Sequence, residues 1–163
     1  MEQPILEKEV IVSASPEEVW RAWTTVEGVR RFFAPDARLE MMPGGAYEIL
    51  FDTDARPGSK GSEGCKVLSF VPGKMFSFTW NAPPQFARAR RECAQWVVLL
   101  FEPVSPNETR VSLFELGWKG GKEGESVYEY FDKAWTLVLN RLAHSFSEGP
   151  INWSNPWRPQ GKT

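Results

Sequence analysis

Residues 126–146 read SVYEYFDKAWTLVLNRLAHSF. Val127, Phe131, Ala134, Val138 and Arg141 recur at the spacing of one helical face, and Tyr128, Trp135, Leu139 and Leu142 flank that stripe. The spacing predicts a long helix that follows the flexible KGGKEG link at 119–124 and runs to about Ser147. A helix that only closes a core needs one apolar stripe, and this one carries a wider arc. Such an arc suits a cavity wall, a solid core or a contact between two copies, and the spacing leaves all three open. Asp132, Lys133, Asn140 and Arg141 interrupt the apolar run, so no membrane span is expected there.

Upstream of the helix the period changes to that of strands. Residues 5–13 (ILEKEVIVS) read as a first strand. Ser15, Pro16 and Glu18 form a helix start, with Ser as the cap, Pro at the first position and Glu at the third. Val19, Trp20 and Trp23 supply that helix's buried face, and residues 26–33 (VEGVRRFF) read as a second short helix ending before Pro35. Strands then follow at 37–42, 46–51, 64–71, 74–80, 95–101 and 109–118, with turns at Pro43-Gly44-Gly45, Pro72-Gly73 and 103–108. Residues 52–63 and 81–94 read as loops, and the tail EGPINWSNPWRPQGKT as irregular. Consecutive strands with hairpin-length turns imply an antiparallel sheet, so the fold class is α+β. One domain over residues 1–150 and an irregular tail over 151–163 are expected.

Composition narrows the function classes. Hydrophobic residues make up 42% and charged residues 25% of the 163, which fits a folded domain. A net charge of -2 gives no footprint for nucleic acid or an anionic membrane. The Arg88–Arg91 cluster is read as a solvated loop or strand end in preference to a phosphate site. The start MEQPILEKEV lacks the basic and apolar regions of a signal peptide, so cytoplasm is the expected location. Cys65 and Cys93 are then expected to be free thiols. The 8 Trp and 11 Phe stand out, and suit a thick core or a cavity lined by rings.

Catalytic and metal chemistry is sparse. The single histidine, His144, lies near the helix C-terminus, where interaction with the last carbonyls is expected. Nothing places a Ser or Cys beside it as a nucleophile. The cysteines are far apart and lack histidine partners, so neither a metal nor a cofactor is expected. Gly44-Gly45 and Gly120-Gly121 lack the context of a phosphate loop and read as turns.

Several segments taken together resemble one family: SASPEEVWRAWTTVEGVRRFFAP, PGGAYEILF, Val71-Pro72-Gly73-Lys74 with FSFTW, and FEPVSPNETRVSLFELGW. They are similar to the activator of heat-shock-protein-90 ATPase homologue-like family, within the START-like (SRPBCC, Bet v-like) helix-grip superfamily, over about residues 8–147. The resemblance implies a curved seven-stranded antiparallel sheet gripping the C-terminal helix, two short helices after strand 1, and an elongated cavity between sheet and helix. It also implies an apolar ligand, since superfamily members commonly bind lipids, polyketides or hormones, and a minority are cyclases, aromatases or hydrolases. The family's namesake stimulates a chaperone ATPase with help from a separate N-terminal domain that is not found in these 163 residues.

The first functional reading is therefore a module that binds a small, largely apolar ligand, lipid-like or polycyclic, with no cofactor. Its expected contacts are Tyr47, Phe51, Phe76, Phe78, Trp80, Leu99, Leu113, Glu115, Phe131, Trp135 and Val138. Alternation puts Tyr47, Ile49 and Phe51 on one face, and Phe76, Phe78 and Trp80 on one face. If the odd positions of 97–101 and 111–115 face inward, Glu115 also points toward the cavity, where a carboxyl needs a partner or a raised pKa. Arg141 is the partner expected for it, the alternative being a solvated Glu115 at the sheet edge. The second reading is a cyclase- or hydrolase-type enzyme using Glu115 or His144. The third is a chaperone-activating interaction module, and a homodimer is a further partner reading.

Overall fold

The computed structural model describes residues 3–92 and 95–161, so Cys93 lies outside the described residues. The chain opens with β1 (Leu6–Val12), then α1 (Pro16–Thr24) and α2 (Val26–Phe32). Ser15 caps α1 in a capping box: its Oγ accepts from the Glu18 amide, and its own amide donates to Glu18 Oε2 at 2.9 Å. Thr25 both ends α1 and starts α2. Its Oγ1 donates to the Arg21 carbonyl at 2.8 Å and accepts from the Gly28 amide at 2.9 Å.

Strands β2 (Asp36–Leu39), β3 (Tyr47–Leu50), β4 (Val67–Val71) and β5 (Met75–Trp80) follow. A short helix α3 (Ala87–Glu92) precedes the long strands β6 (Gln95–Ser105) and β7 (Glu108–Leu116), and α4 (Gly121–Glu148) closes the fold. All pairings are antiparallel, and the order is β1-β7-β6-β5-β4 with a separate β2-β3 pair. The seven expected strands are present, but as five plus two rather than one continuous sheet. The β2-β3 pair is joined to the rest by the isolated bridges Ala46↔Lys66 and Leu50↔Gly61 and by backbone hydrogen bonds such as Tyr47 N–H to the Cys65 carbonyl at 2.9 Å. Between those bridges residues 60–62 lie against β3, where the Ser62 amide donates to the Ile49 carbonyl at 2.9 Å, without forming a regular strand.

Period-two alternation sends Val97, Leu99, Val111, Leu113 and Glu115 inward together with Phe76, Phe78 and Trp80. Tyr47 packs at 4.9 Å from Phe76 and 4.4 Å from Phe78, and its hydroxyl donates to the Trp23 carbonyl at 2.8 Å. Trp23 in turn packs against Phe32 and Phe33. α4 lies across β1 and α2, buries Val127, Phe131, Trp135, Leu139 and Leu142, and pairs Asp132 with Lys8 of β1 at 2.7 Å. No helix among the described residues is long and apolar enough to cross a membrane.

Several segments depart from the sequence reading: residues 121–124, expected in a flexible link, open α4, and residues 103–105, expected in a turn, extend β6. Residues 87–92, expected within a loop, form α3, because Ala, Arg and Glu are good helix formers. Residues 150–161 of the tail form no helix or strand yet are tied down: the Ile151 amide donates to the Arg31 carbonyl at 2.9 Å, and Trp153 Nε1 donates to the Arg30 carbonyl at 2.7 Å.

Candidate functional site

An open cleft of about 440 Å3 lies beside α4. Tyr130, Phe131, Ala134, Trp135, Leu137, Val138 and Arg141 form its helical wall, since positions three and four apart share a face. The opposite wall comes from Phe51, Asp52 and residues 59–61. The end of β5 and the segment after it add Trp80, Asn81 and Pro83–Gln85. Phe33, Arg90 and the tail residue Arg158 complete the lining.

The floor is aromatic. Trp80 and Trp135 lie 5.3 Å apart between ring centres, Phe33 lies 5.8 Å from each, and Phe51 lies 5.7 Å from Phe33. Beneath Trp135 sits the carboxyl of Glu115, fully buried, accepting from Trp135 Nε1 at 2.7 Å through Oε2. Burial raises the Glu115 pKa to about 8, against a smaller lowering by the Trp135 hydrogen bond. The group is thus largely protonated at neutral pH. Its Oε1 and the indole N–H of Trp80 are both buried without a protein partner.

The wall facing α4 is braced by one side chain. Arg90 of α3 donates at 2.7 Å to each of three carbonyls, those of Gly58, Ala82 and Gly61, and pairs with Glu63 at 3.7 Å. Glu63 accepts from the amides of Lys60 at 2.7 Å and Gly61 at 2.9 Å, and from that of Gly58. Gly61 is required where the loop crosses β3, because a Cβ there would stand 1.9 Å from the Ile49 carbonyl oxygen. At the other rim Arg141 donates through Nε to the Trp157 carbonyl at 2.9 Å, and its guanidinium lies 5.5 Å from the Trp153 ring. Among the described residues no group of three or more His, Cys, Asp or Glu side chains could hold a metal ion.

Residues 13–147 match the model of the family described as activator of Hsp90 ATPase homolog 1-like protein. The chain belongs to this family. Solved structures with the same fold, all of low sequence identity, accompany that match. Protein MLL2253 from Mesorhizobium loti is 20% identical, with a TM-score of 0.71 over 91% of this chain and 100% of its own. An Aha1 dimer from Colwellia psychrerythraea is 18% identical, with a TM-score of 0.68 over 90% of this chain and 98% of its own. CalU16 from Micromonospora echinospora is 17% identical, with a TM-score of 0.63 over 91% of this chain and 76% of its own. The search of curated proteins found no match.

Within this activator-like fold the eleven residues named from the sequence separate into two groups. Phe51, Trp80, Phe131, Trp135 and Val138 line the cleft. Tyr47, Phe76, Phe78, Leu99, Leu113 and Glu115 are buried behind it and do not. The cleft lies between α4 and the facing segment that carries Phe51, Asp52 and residues 59–61. Phe51 lies one residue past the end of β3 and is 45% exposed, unlike Tyr47 and Ile49. Glu115 is neither solvated nor paired with Arg141; Trp135 is its partner, one helical turn and a half earlier on α4. His144 stacks on Trp157 at 3.9 Å instead of only facing the last carbonyls. In the Arg88–Arg91 cluster Arg90 is a half-buried brace rather than a solvated charge. Sequence reasoning missed Phe33, Tyr130, Arg90 and Arg158. The Phe32-Phe33 pair carried a signal, since α2 needs only one of the two for its own buried stripe. Arg158 carried none.

Proposed function

We propose that the cleft binds a small, largely apolar ligand. The observation that carries this reading is the cleft itself: about 440 Å3 of open space against Phe33, Trp80 and Trp135, in a molecule whose neighbouring rings are otherwise packed. The size falls within the roughly 300–1,000 Å3 of small-molecule sites, and an apolar wall with a few polar groups is their common make-up. The superfamily resemblance points the same way. Neutral apolar probes such as naphthalene and decanol test it by titration, read through tryptophan fluorescence and thermal shift. Ala134→Trp, which fills the cleft from a half-buried helix position, is expected to abolish binding while the fold is retained. Binding that survives this substitution, or no binding at all, removes the reading.

The enzymatic alternative has less support from the geometry. Glu115 is closed off by Trp135 and His144 is covered by Trp157, so neither presents a group to the cleft.

A homodimer is a second reading for partners. On the outer sheet face Trp96, 43% exposed, adjoins the half-buried Val98, Leu100, Phe114 and Leu116 across β6 and β7, which makes an apolar strip. The Colwellia protein was solved as a dimer. Sedimentation at micromolar concentration decides it, and a species of monomer mass alone rejects it.

A further inference from the structure

The charges around the cleft are unequal. Its described lining holds Lys60, Arg90, Arg141 and Arg158 against one acid, Asp52. Arg90 is consumed by the carbonyls it braces. Asp52 points part of its carboxylate into its own loop, where Oδ1 accepts from the amides of Asp54 and Ala55 at 3.1 Å each. Arg141 and Arg158 have no such resolution. Among the described residues neither makes an ion pair with a carboxylate.

The two arginines differ in what the protein does with them. Arg141 is 9% exposed, and among the described residues its Nε alone has a protein acceptor, the Trp157 carbonyl. That bond and the Trp153 ring fix the guanidinium plane and leave the two terminal nitrogens unbonded at the cleft. Arg158 is exposed and comes from the docked tail. Both arginines line the same cleft, and burial first, then repulsion by Arg158, push the Arg141 pKa below its ordinary value. Two like charges converging beside an aromatic floor, with no acid between them, are an unfavourable arrangement that an anion would relieve. A guanidinium held in a fixed plane with free terminal N–H groups is suited to paired hydrogen bonds with an oxyacid.

We propose that the ligand of this cleft is amphipathic, with an apolar body on the Trp80–Trp135 floor and an anionic oxygen head, a carboxylate or phosphate monoester, held between Arg141 and Arg158. This rests on the cleft being a ligand site, and it adds the chemical class. It also gives the tail a role: residues 151–158 carry Trp153 and Trp157, which aim Arg141, and Arg158, which completes the clamp.

The test uses the full chain and three probes that share one ring system: 1-naphthylacetate, 1-naphthyl phosphate and neutral 1-naphthaleneethanol. Dissociation constants are measured by calorimetry at low and high salt. At least one acid is expected to bind about tenfold or more tightly than the alcohol, with the advantage shrinking as salt rises. The order of the two acids identifies the head. Arg158→Gln is expected to weaken the tighter acid about fivefold or more and leave the alcohol within about twofold. Arg141→Gln removes more of the preference but also a tail contact, so Arg158→Gln decides the matter if Arg141→Gln lowers the melting temperature. Equal binding of acids and alcohol, or an acid preference unchanged in Arg158→Gln, overturns the anionic head and leaves the apolar cleft standing. Binding of none of the three overturns both.

Discussion

Two aromatic groups share the inner face of this fold and differ in what stands opposite them. Around Tyr47, Phe76 and Phe78 the rings meet at 4.4–5.1 Å, and none of the three is exposed. Around Phe33, Phe51, Trp80 and Trp135 the rings lie 5.3–6.3 Å apart and form one side of an open cleft. The first group is closed over by α1, whose Trp23 carbonyl accepts from the Tyr47 hydroxyl. The second faces a loop that Arg90 and Glu63 hold at a distance. Residue type does not separate a packed aromatic face from an open one. The bracing of the facing segment does.

Paired truncations test this difference most directly. Phe78→Ala removes a fully buried ring and is expected to cost about 3–5 kcal/mol of unfolding free energy in urea. Phe51→Ala, at a 45% exposed site, is expected to cost less than about 1 kcal/mol. It should weaken apolar ligands nonetheless, because Phe51 lines the cleft. Similar losses at the two sites would mean that both regions are equally packed.

Glu115 lies at the boundary between the two regions and supplies the next largest effect. Its folded-state pKa of about 8 exceeds the ordinary 4.5, so above pH 4.5 the unfolded chain has released a proton that the folded chain retains. The stabilising contribution is complete below pH 4.5, declines as pH rises, and is lost once pH passes about 8. Glu115→Gln keeps an acceptor for Trp135 Nε1 without the charge. The variant is expected to gain on the wild type between pH 5 and 9, by an amount on the order of a few kcal/mol. Urea melts of both proteins across that range measure the difference directly. Parallel curves would show that Glu115 titrates as if solvated.

Much of the fold was legible because local chemistry and long-range packing agree. The Ser15–Glu18 capping box, the Pro-Gly turns and the alternation of 76–80, 97–101 and 111–115 each specify structure within a few residues. The same alternation left Glu115 either inward or solvated at the sheet edge, and the packing selects the inward position. Its partner did not follow, since Trp135 and Arg141 are both on α4 and only the crossing of helix over sheet selects between them. The cleft was half legible. Trp80, Phe131, Trp135 and Val138 belong to regular elements with readable faces. Phe33, Arg90 and Arg158 come from a helix end, a six-residue helix and the tail, where no period reports orientation. Tyr47, Phe76 and Phe78 have the same pattern as the cleft residues and are packed solid, a distinction that α1 makes from far away in sequence.

Arg90 gives a smaller expected change in stability than Phe78 or Glu115 and the sharpest test of why one region stays open. Its guanidinium and the Glu63 carboxylate hold complementary groups of the same loop: Arg90 takes the carbonyls of Gly58 and Gly61, and Glu63 takes the amides of Gly58, Lys60 and Gly61. Arg90→Ala removes the carbonyls' charged donor near the surface, where water replaces part of it, so a loss of about 2 kcal/mol is expected. Arg90→Lys should recover little, because an ammonium cannot span the Gly58, Gly61 and Ala82 carbonyls as a planar fork does. The loss should be local. Hydrogen exchange is expected to quicken at residues 58–62 in both variants, with the amides of β6 and β7 unchanged, and apolar ligands should bind more weakly as the loop loses its fixed distance from α4. If exchange at 58–62 is unaltered while the whole molecule loses stability, Arg90 is an ordinary core contact, and the openness of the cleft must come from its rings instead of its braced wall.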